Sequence, residues 1–437
     1  MARELRFESG LTKDQTRTSL ESLNFNLILR GVFDTVCAGN TFVFVAFALS
    51  LGIPKESMGI VAAVTSIACI VQMVGLSFLR HVRDKKRYVV SLALAEPLLL
   101  AAAVLLIPLL PPALRIGALL LAVFMAAAFL HLTAPLTAEW VASTVPSELR
   151  GRFVGRRFQL QSVSLIATIL LAGFVCDRVG TTNTSGLTWL LAAGSVFGVL
   201  AVWALAKATM PSASSDSAIS LADIRDVVRY RPFVRYLGAI LLFDAPFFFA
   251  CPYYQVFYLE VLKMRPSTIS YMATGYYIAR ILVSAVWGRY VERHGARRCI
   301  SICAWIYLAF FMAYTVSGPG RIWPVMVGWA FVGVADAGWA VATTVVLYQI
   351  LPTSRARPAY FAVQSICQIG LTGLGAFLAV PVLFMLKNAS GSVGGLHLGQ
   401  FHFFFLACAI ALLPCMLSLR LLGESGIRAR APPAAER

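Results

Sequence analysis

The sequence predicts an all-α integral membrane protein, with twelve transmembrane helices in two pseudo-symmetric six-helix halves. Three observations carry that prediction. Of 437 residues, 59% are hydrophobic and only 13% charged, with a mean hydropathy of +0.77; a soluble globular protein carries about 25% charged residues. The apolar residues fall into twelve runs long enough to cross a bilayer. Motifs of the first half recur in the second, in the same order. This composition excludes an ordinary soluble enzyme, a disordered chain and a disulfide-rich secreted module. The net charge of +17 raises nucleic acid as a partner, but domains that bind it keep a polar, solvated surface. Here the positive charge sits in short clusters between apolar runs, so the lipid bilayer is the expected partner and nucleic acid is not.

A spanning helix needs about 20 mostly apolar residues, because the hydrocarbon is about 30 Å thick. Runs of that kind cover 24–51, 58–79, 88–110, 114–143, 155–176, 187–207, 234–262, 267–290, 298–317, 322–350, 359–386 and 400–421. Backbone groups in lipid must bond within their own segment, which makes these runs helices. The fourth and tenth are long and interrupted by Pro, Gly and polar residues. Lys and Arg set the orientation. With the N-terminus inside, 28 of the 37 fall in cytoplasmic segments and 7 outside, and Arg30 and Arg280 lie within spans. That split predicts an even number of spans and both termini in the cytoplasm. Residues 1–23 are polar and show no cleavable leader, so the first span doubles as the insertion signal. Short outer loops and the lack of a large extramembrane domain fit a bacterial inner membrane.

The long polar break at 208–233 separates an N-terminal half, 1–207, from a C-terminal half, 234–421, followed by a tail, 422–437. Ser220 and Asp223 predict a short helix within this linker. Repeats across the break are specific. Phe33-Asp34 in the first span is matched by Phe243-Asp244 in the seventh. The basic loop 80–87 is matched by 289–298, and Pro146…Arg150-Gly151-Arg152 by Pro352…Arg355-Ala356-Arg357. Gln161-Ser162 is matched by Gln364-Ser365. The four offsets drift only from 210 to 203.

With these motifs the chain resembles the major facilitator superfamily along essentially its whole length. The best single match is the loop Gly288-Arg289…Arg293-His294-Gly295-Ala296-Arg297-Arg298, a Gly-basic-Gly-basic signature after the eighth span. The equivalent after the second span keeps Gly75 and Asp84 but lacks the internal Gly. The resemblance implies two six-helix halves joined by a cytoplasmic loop, with spans one, four, seven and ten around a central cavity. It also implies a switch role for Gly288, Arg289, Arg293, Gly295 and Arg298, which would lock the inner ends of the halves together in one state. The chain departs from the drug/proton antiporters of that superfamily, since its fourth span has no Arg and its fifth no Gly-Pro.

An ionised side chain deep in a bilayer costs roughly 2.5–3.5 kcal/mol on insertion scales, so it usually faces a partner or a watery cavity. Asp336, Arg280 and His131 lie near the middles of their spans, and Asp34 and Asp244 about ten residues into theirs. A carboxylate facing a partly dry cavity can load and unload a proton near neutral pH, which makes Asp34, Asp244 and Asp336 candidate proton or substrate sites. The bland alternative for Asp34 is neutralisation by Arg30 one turn away. Arg280 reads either as a clamp for a carboxylate, phosphate or hydroxyl-rich solute or as a salt bridge to Asp336 or Asp244. His131 either titrates or makes a satisfied inter-helix hydrogen bond. Trp339, beside Asp336, can line a cavity, and Tyr253 belongs to an aromatic stretch that either stacks on a solute or packs. Glu139, with Arg150 and Arg152, reads as an inner gating salt bridge. Glu96, before Pro97 on the third span, receives no site role.

These readings add up to a secondary transporter, a monomer that moves a small organic solute through the membrane by alternating access with proton coupling. No Gly-x4-Gly-Lys-Ser/Thr loop supports direct ATP drive, no cofactor or metal is expected, and no catalytic His or Gly-x-Ser-x-Gly pattern supports an enzyme. The competing expectation is a non-transporting member of the same fold, a sensor or an assembly factor for another membrane complex.

Overall fold

Eleven helices among the described residues are long and apolar enough to cross a membrane. The computed structural model describes residues 12–69, 71, 82, 84–144, 150–210, 221–351, 357–393 and 396–419. Of the twelve expected spans, the second (58–79) is the one missing from the eleven. Its beginning is a helix at Met58–Ile67, and most of its remainder lies outside the described residues. Contacts group the chain into two compact units, Met1–Ser217 with Met264–Tyr271, and Ala218–Lys263 with Met272–Arg437.

The first unit contains α1 (Lys13–Cys37), α2 (Phe42–Ser50), α3 (Met58–Ile67), α4 (Lys85–Leu106), α5 (Pro112–Thr144), α6 (Arg150–Val179) and α7 (Thr184–Lys207). Polar side chains start several of them. Thr12 and Gln15 form a reciprocal capping box, and Asp84 and Asn183 accept from the backbone N–H of Arg87 and Gly186, satisfying donors that a helix start leaves open. The first span is not one continuous helix. It stops at Cys37, and Thr41 restarts it by accepting from the Phe44 N–H at 3.2 Å. The apolar run hides this break, which the turn-forming Gly39-Asn40-Thr41 explains.

Packing between α1, α4 and α7 depends on two glycines. A Cβ on Gly194 would lie 2.8 Å from Cys37 Sγ, and one on Gly198 would lie 2.7 Å from Pro97 Cβ and 2.8 Å from Phe33 Cδ2. Small residues at such positions let helices approach closely in lipid. Gly198→Ala is therefore expected to destabilise by about 1–3 kcal/mol through overpacking, read as a lower thermal midpoint in detergent. Gly117→Ala, where an added carbon meets nothing within 4 Å, should melt like the parent. At one end of the unit Trp140 is fully buried with Leu23, Val89, Leu136 and Leu205, and its indole donates to the Thr209 carbonyl at 3.1 Å. At the other, Arg115 donates to the carbonyls of Leu110, Leu51 and Pro108, a structural use for a cation on the sparsely charged side.

The second unit contains α8 (Leu221–Arg229), α9 (Arg231–Ala250), α10 (Pro266–His294) from Met272 onward, α11 (Ala296–Thr315), α12 (Trp323–Ile350), α13 (Arg357–Met385) and α14 (Gln400–Ser418). The short linker helix expected after Ser220 is α8; Ser220 itself lies outside the described residues. A small antiparallel hairpin of β1 (Gly391–Val393) and β2 (Leu396–Leu398), with Gly391 opposite Leu398, precedes α14 and is too short to register in hydropathy. The seventh span is broken near Pro246 and Pro252, since proline removes a helix donor and crowds the preceding turn. After Ala250 come a 3₁₀ turn at Cys251–Tyr253 and a π-turn at Phe257–Val261. Between α10 and α11 the chain turns at Gly295, whose φ of +86° suits glycine alone without strain.

Apolar side chains cover the outsides of these helices. Leu109, Trp189, Leu282 and Met385 are each more than two-thirds exposed, which is stable against lipid and not against water. Lys207 places its ammonium 3.3 Å from the centroid of the Trp203 ring, burying its stem along apolar surface at the end of α7.

Candidate functional site

In the first unit one cation serves two acids. The Arg30 guanidinium, on α1, donates to both Glu96 oxygens at 2.6 and 2.8 Å and through Nε to Asp34 at 2.9 Å. It also lies 4.9 Å from the centroid of the Phe33 ring. Paired, charge-assisted bonds of this kind are among the strongest a side chain makes. The two acids are not equivalent. Glu96, on α4, is 6% exposed, whereas Asp34 is 51% exposed. The buried pair is thus a fixed base, and Asp34 is the open edge of the cluster. With both acids ionised the group carries one net negative charge, and with Asp34 protonated it is neutral.

In the second unit Asp336, on α12, is held by two phenols from different helices. Tyr307 of α11 donates to Oδ1 at 2.5 Å, and Tyr276 of α10 donates to Oδ2. Arg280, one turn beyond Tyr276, donates to the Tyr276 hydroxyl at 3.4 Å. Among the described residues it makes no ion pair with Asp336 or Asp244, so its link to Asp336 runs through a tyrosine. Asp244, on α9, is half-buried, faces the Gln368 amide and feels the charge of Asp336. Trp339 stacks on Phe243 with centroids 4.4 Å apart and meets the edge of Tyr307. Asp244, Arg280, Asp336 and Trp339 therefore belong to one polar and aromatic neighbourhood.

Close helix approach sets this geometry. A Cβ on Gly333 would collide with the Tyr276 carbonyl oxygen, and one on Gly338 would lie 2.8 Å from Trp287 Cε2. The Trp287 indole in turn donates to the Val334 carbonyl at 2.9 Å. Gly333→Ala must push α10 from α12 and pull Tyr276 away from Asp336. The variant is expected to be destabilised by about 1–3 kcal/mol through overpacking, read as a lower thermal midpoint with helical content unchanged. Gly275→Ala, where an added carbon meets nothing within 4 Å, should melt like the parent.

The other expected site residues separate from these clusters. His131, on α5, turns its ring toward the backbone of Thr65 on α3. Tyr253 is fully buried and packs edge-on against Phe404 at 5.4 Å, so a solute cannot reach its ring in this structure. Arg289, Arg293 and Arg298 are exposed around the Gly295 turn, and Gly288 is half-buried on α10. The backbones of Glu139, Arg150 and Arg152 lie in α5 and α6, and their side chains fall outside the described residues.

Glu96 and Tyr307 are among the participants that sequence reasoning missed. Glu96 was given no site role, yet it is the bidentate partner of Arg30. Charge balance signals it, because Arg30 is the one cation of its half set well inside a span, the others lying at span ends, and two acids lie near it in depth. Tyr307 left no comparable signal, since a tyrosine in an apolar helix is common and nothing local distinguishes a phenol that donates to a carboxylate.

Known structures share this fold. A mutant of the nucleoside transporter NupG superposes with a TM-score of 0.71 at 12% identity, covering 94% of this chain and 100% of the other. A bacterial homologue of the human lysosomal transporter Spinster, inward-facing and occupied, gives 0.72 at 12% identity over 97% and 100%. A D-xylose-proton symporter gives 0.66 at 15% identity over 94% and 98%. No curated protein matches in sequence. The family model described as MFS/sugar transport protein matches residues 91–422, and with three-quarters of its length so matched this multi-pass membrane chain belongs to that family of transporters.

Proposed function

We propose that this protein is a proton-coupled secondary transporter that carries a small organic solute across a cell (inner) membrane by alternating access, as a monomer with both termini in the cytoplasm. One observation carries the reading: Asp34 is the half-exposed acid of a cluster whose other acid, Glu96, is buried against Arg30. A proton can therefore arrive at and leave Asp34 without dismantling the Arg30–Glu96 pair, and each exchange switches the cluster between neutral and singly negative. Asp336 and Asp244 form the second acidic site, where the Tyr276 and Tyr307 hydroxyls and the Trp339 ring offer hydrogen bonds and an aromatic face to a polar solute. Likeness to a nucleoside transporter and a D-xylose-proton symporter supports a polar organic solute and a proton as cargo.

The test is uptake by purified protein in liposomes under an imposed pH gradient, across a panel of sugars, nucleosides and related polar solutes. At least one solute should accumulate, and collapsing the gradient with a protonophore should release the excess. Accumulation that ignores the protonophore for every transported solute would overturn proton coupling. Absence of transport across the panel, with loss of the cellular phenotype only on altering cytoplasmic loops, would favour a non-transporting role.

A further inference from the structure

A cavity of about 370 Å³ lies in the second unit between α11, α12 and α14, away from the carboxylate clusters. Its walls include Ser301 and Trp305 of α11, Val346 of α12, and Leu413 and Leu417 of α14, with Arg297 at one end. The ends of three helices meet there. Arg297 is in the first turn of α11, Val346 lies just before the last turn of α12, and Leu417 is in the last turn of α14. Trp305 lies eight residues beyond Arg297, about 12 Å along the helix at 1.5 Å per residue. The groove thus runs from a cation and a hydroxyl at the helix ends to an apolar trough deeper in the span.

Its open side faces where lipid would be. Trp305, Leu413 and Leu417 are 59%, 46% and 55% exposed, while Ile300 and Ala304 close the floor at 2% and 0%. Arg297 belongs to the basic turn that the positive-inside distribution assigns to the cytoplasm, the leaflet face where basic pockets between spans meet anionic headgroups. Its five N–H donors are enough to engage a phosphate alongside protein contacts. We propose that this groove binds an anionic phospholipid, with the phosphate at Arg297 and Ser301 and an acyl chain along Trp305, Val346 and Leu413. Charge complementarity selects this occupant over the chain's own C-terminal segment, where Arg420, Arg428, Arg430 and Arg437 outnumber Glu424 and Glu436, so that the segment is itself basic.

Native mass spectrometry of the full-length protein, exchanged into equal phosphatidylglycerol and phosphatidylcholine and then released from detergent, tests the site. The parent protein should retain phosphatidylglycerol at least about fivefold over phosphatidylcholine. Arg297→Gln, an exposed substitution that should not disturb folding, should lose that preference, and Arg231→Gln at the start of α9 should keep it. Equal retention of both lipids by the parent, an unchanged preference in Arg297→Gln, or equal losses in both variants would overturn the proposal; the last outcome would mean diffuse positive charge in place of a built groove. None of these readouts depends on transport, so they stand apart from the proton-coupling test.

Discussion

Asp34→Asn is expected to abolish accumulation driven by a pH gradient while leaving the protein folded and able to exchange solute across the membrane. The amide still offers an oxygen to the Arg30 Nε bond and still leaves Arg30 on both Glu96 oxygens, so the cluster keeps its shape. What it loses is the exposed acid that takes up a proton. One pH unit is worth 1.36 kcal/mol per proton, or tenfold in concentration for one proton per solute. In liposomes with a one-unit gradient the parent protein should approach about tenfold accumulation, and the variant should stop at equal concentrations on both sides. Exchange of labelled for unlabelled solute should continue in the variant. If it accumulates solute as the parent does, Asp34 is not the coupling acid.

Glu96→Ala should cost the most stability of any single substitution near the site. The Glu96 carboxylate is 6% exposed and holds two guanidinium nitrogens, and breaking one side of a buried ion pair typically costs about 3–5 kcal/mol because the other charge is left uncompensated. Asp34 still neutralises part of Arg30, which places the loss toward the lower figure. The same physics predicts a rescue: Arg30→Met combined with Glu96→Leu removes both charges and should recover most of the melting temperature, although coupling through the cluster is lost. A Glu96→Ala protein that melts with the parent would mean that Arg30 and Glu96 separate freely in the native ensemble.

How far the sequence reaches depends on the length scale of the signal. Apolar run length places the helices, because a bilayer imposes its thickness on each one, and prolines 246 and 252 mark the broken seventh span. The break at Ala38–Thr41 was invisible to hydropathy, since Phe42–Ser50 continues the apolar run, and only turn chemistry betrays it. Asp34, Asp244, Arg280 and Asp336 stand out as costly charges in oil. Their partners do not, because Tyr276 and Tyr307 lie 60 and 29 residues from Asp336 and reach it only through helix rotation and the close approach at Gly333. For Tyr253 the aromatic stretch leaves stacking on a solute and packing equally open, and in the structure its ring packs against Phe401 and Phe404.

The account turns on whether solute and proton move together. The direct measurement is solute-induced proton flux in weakly buffered liposomes with no imposed gradient, followed by a pH-sensitive dye inside the vesicles, with the parent and Asp34→Asn proteins side by side. Adding a transported solute outside should produce a prompt pH change that is linear in the solute taken up, and Asp34→Asn should abolish it while solute still equilibrates. Solute entry by the parent protein with a flat dye trace would contradict the coupling role given to the Arg30–Asp34–Glu96 cluster.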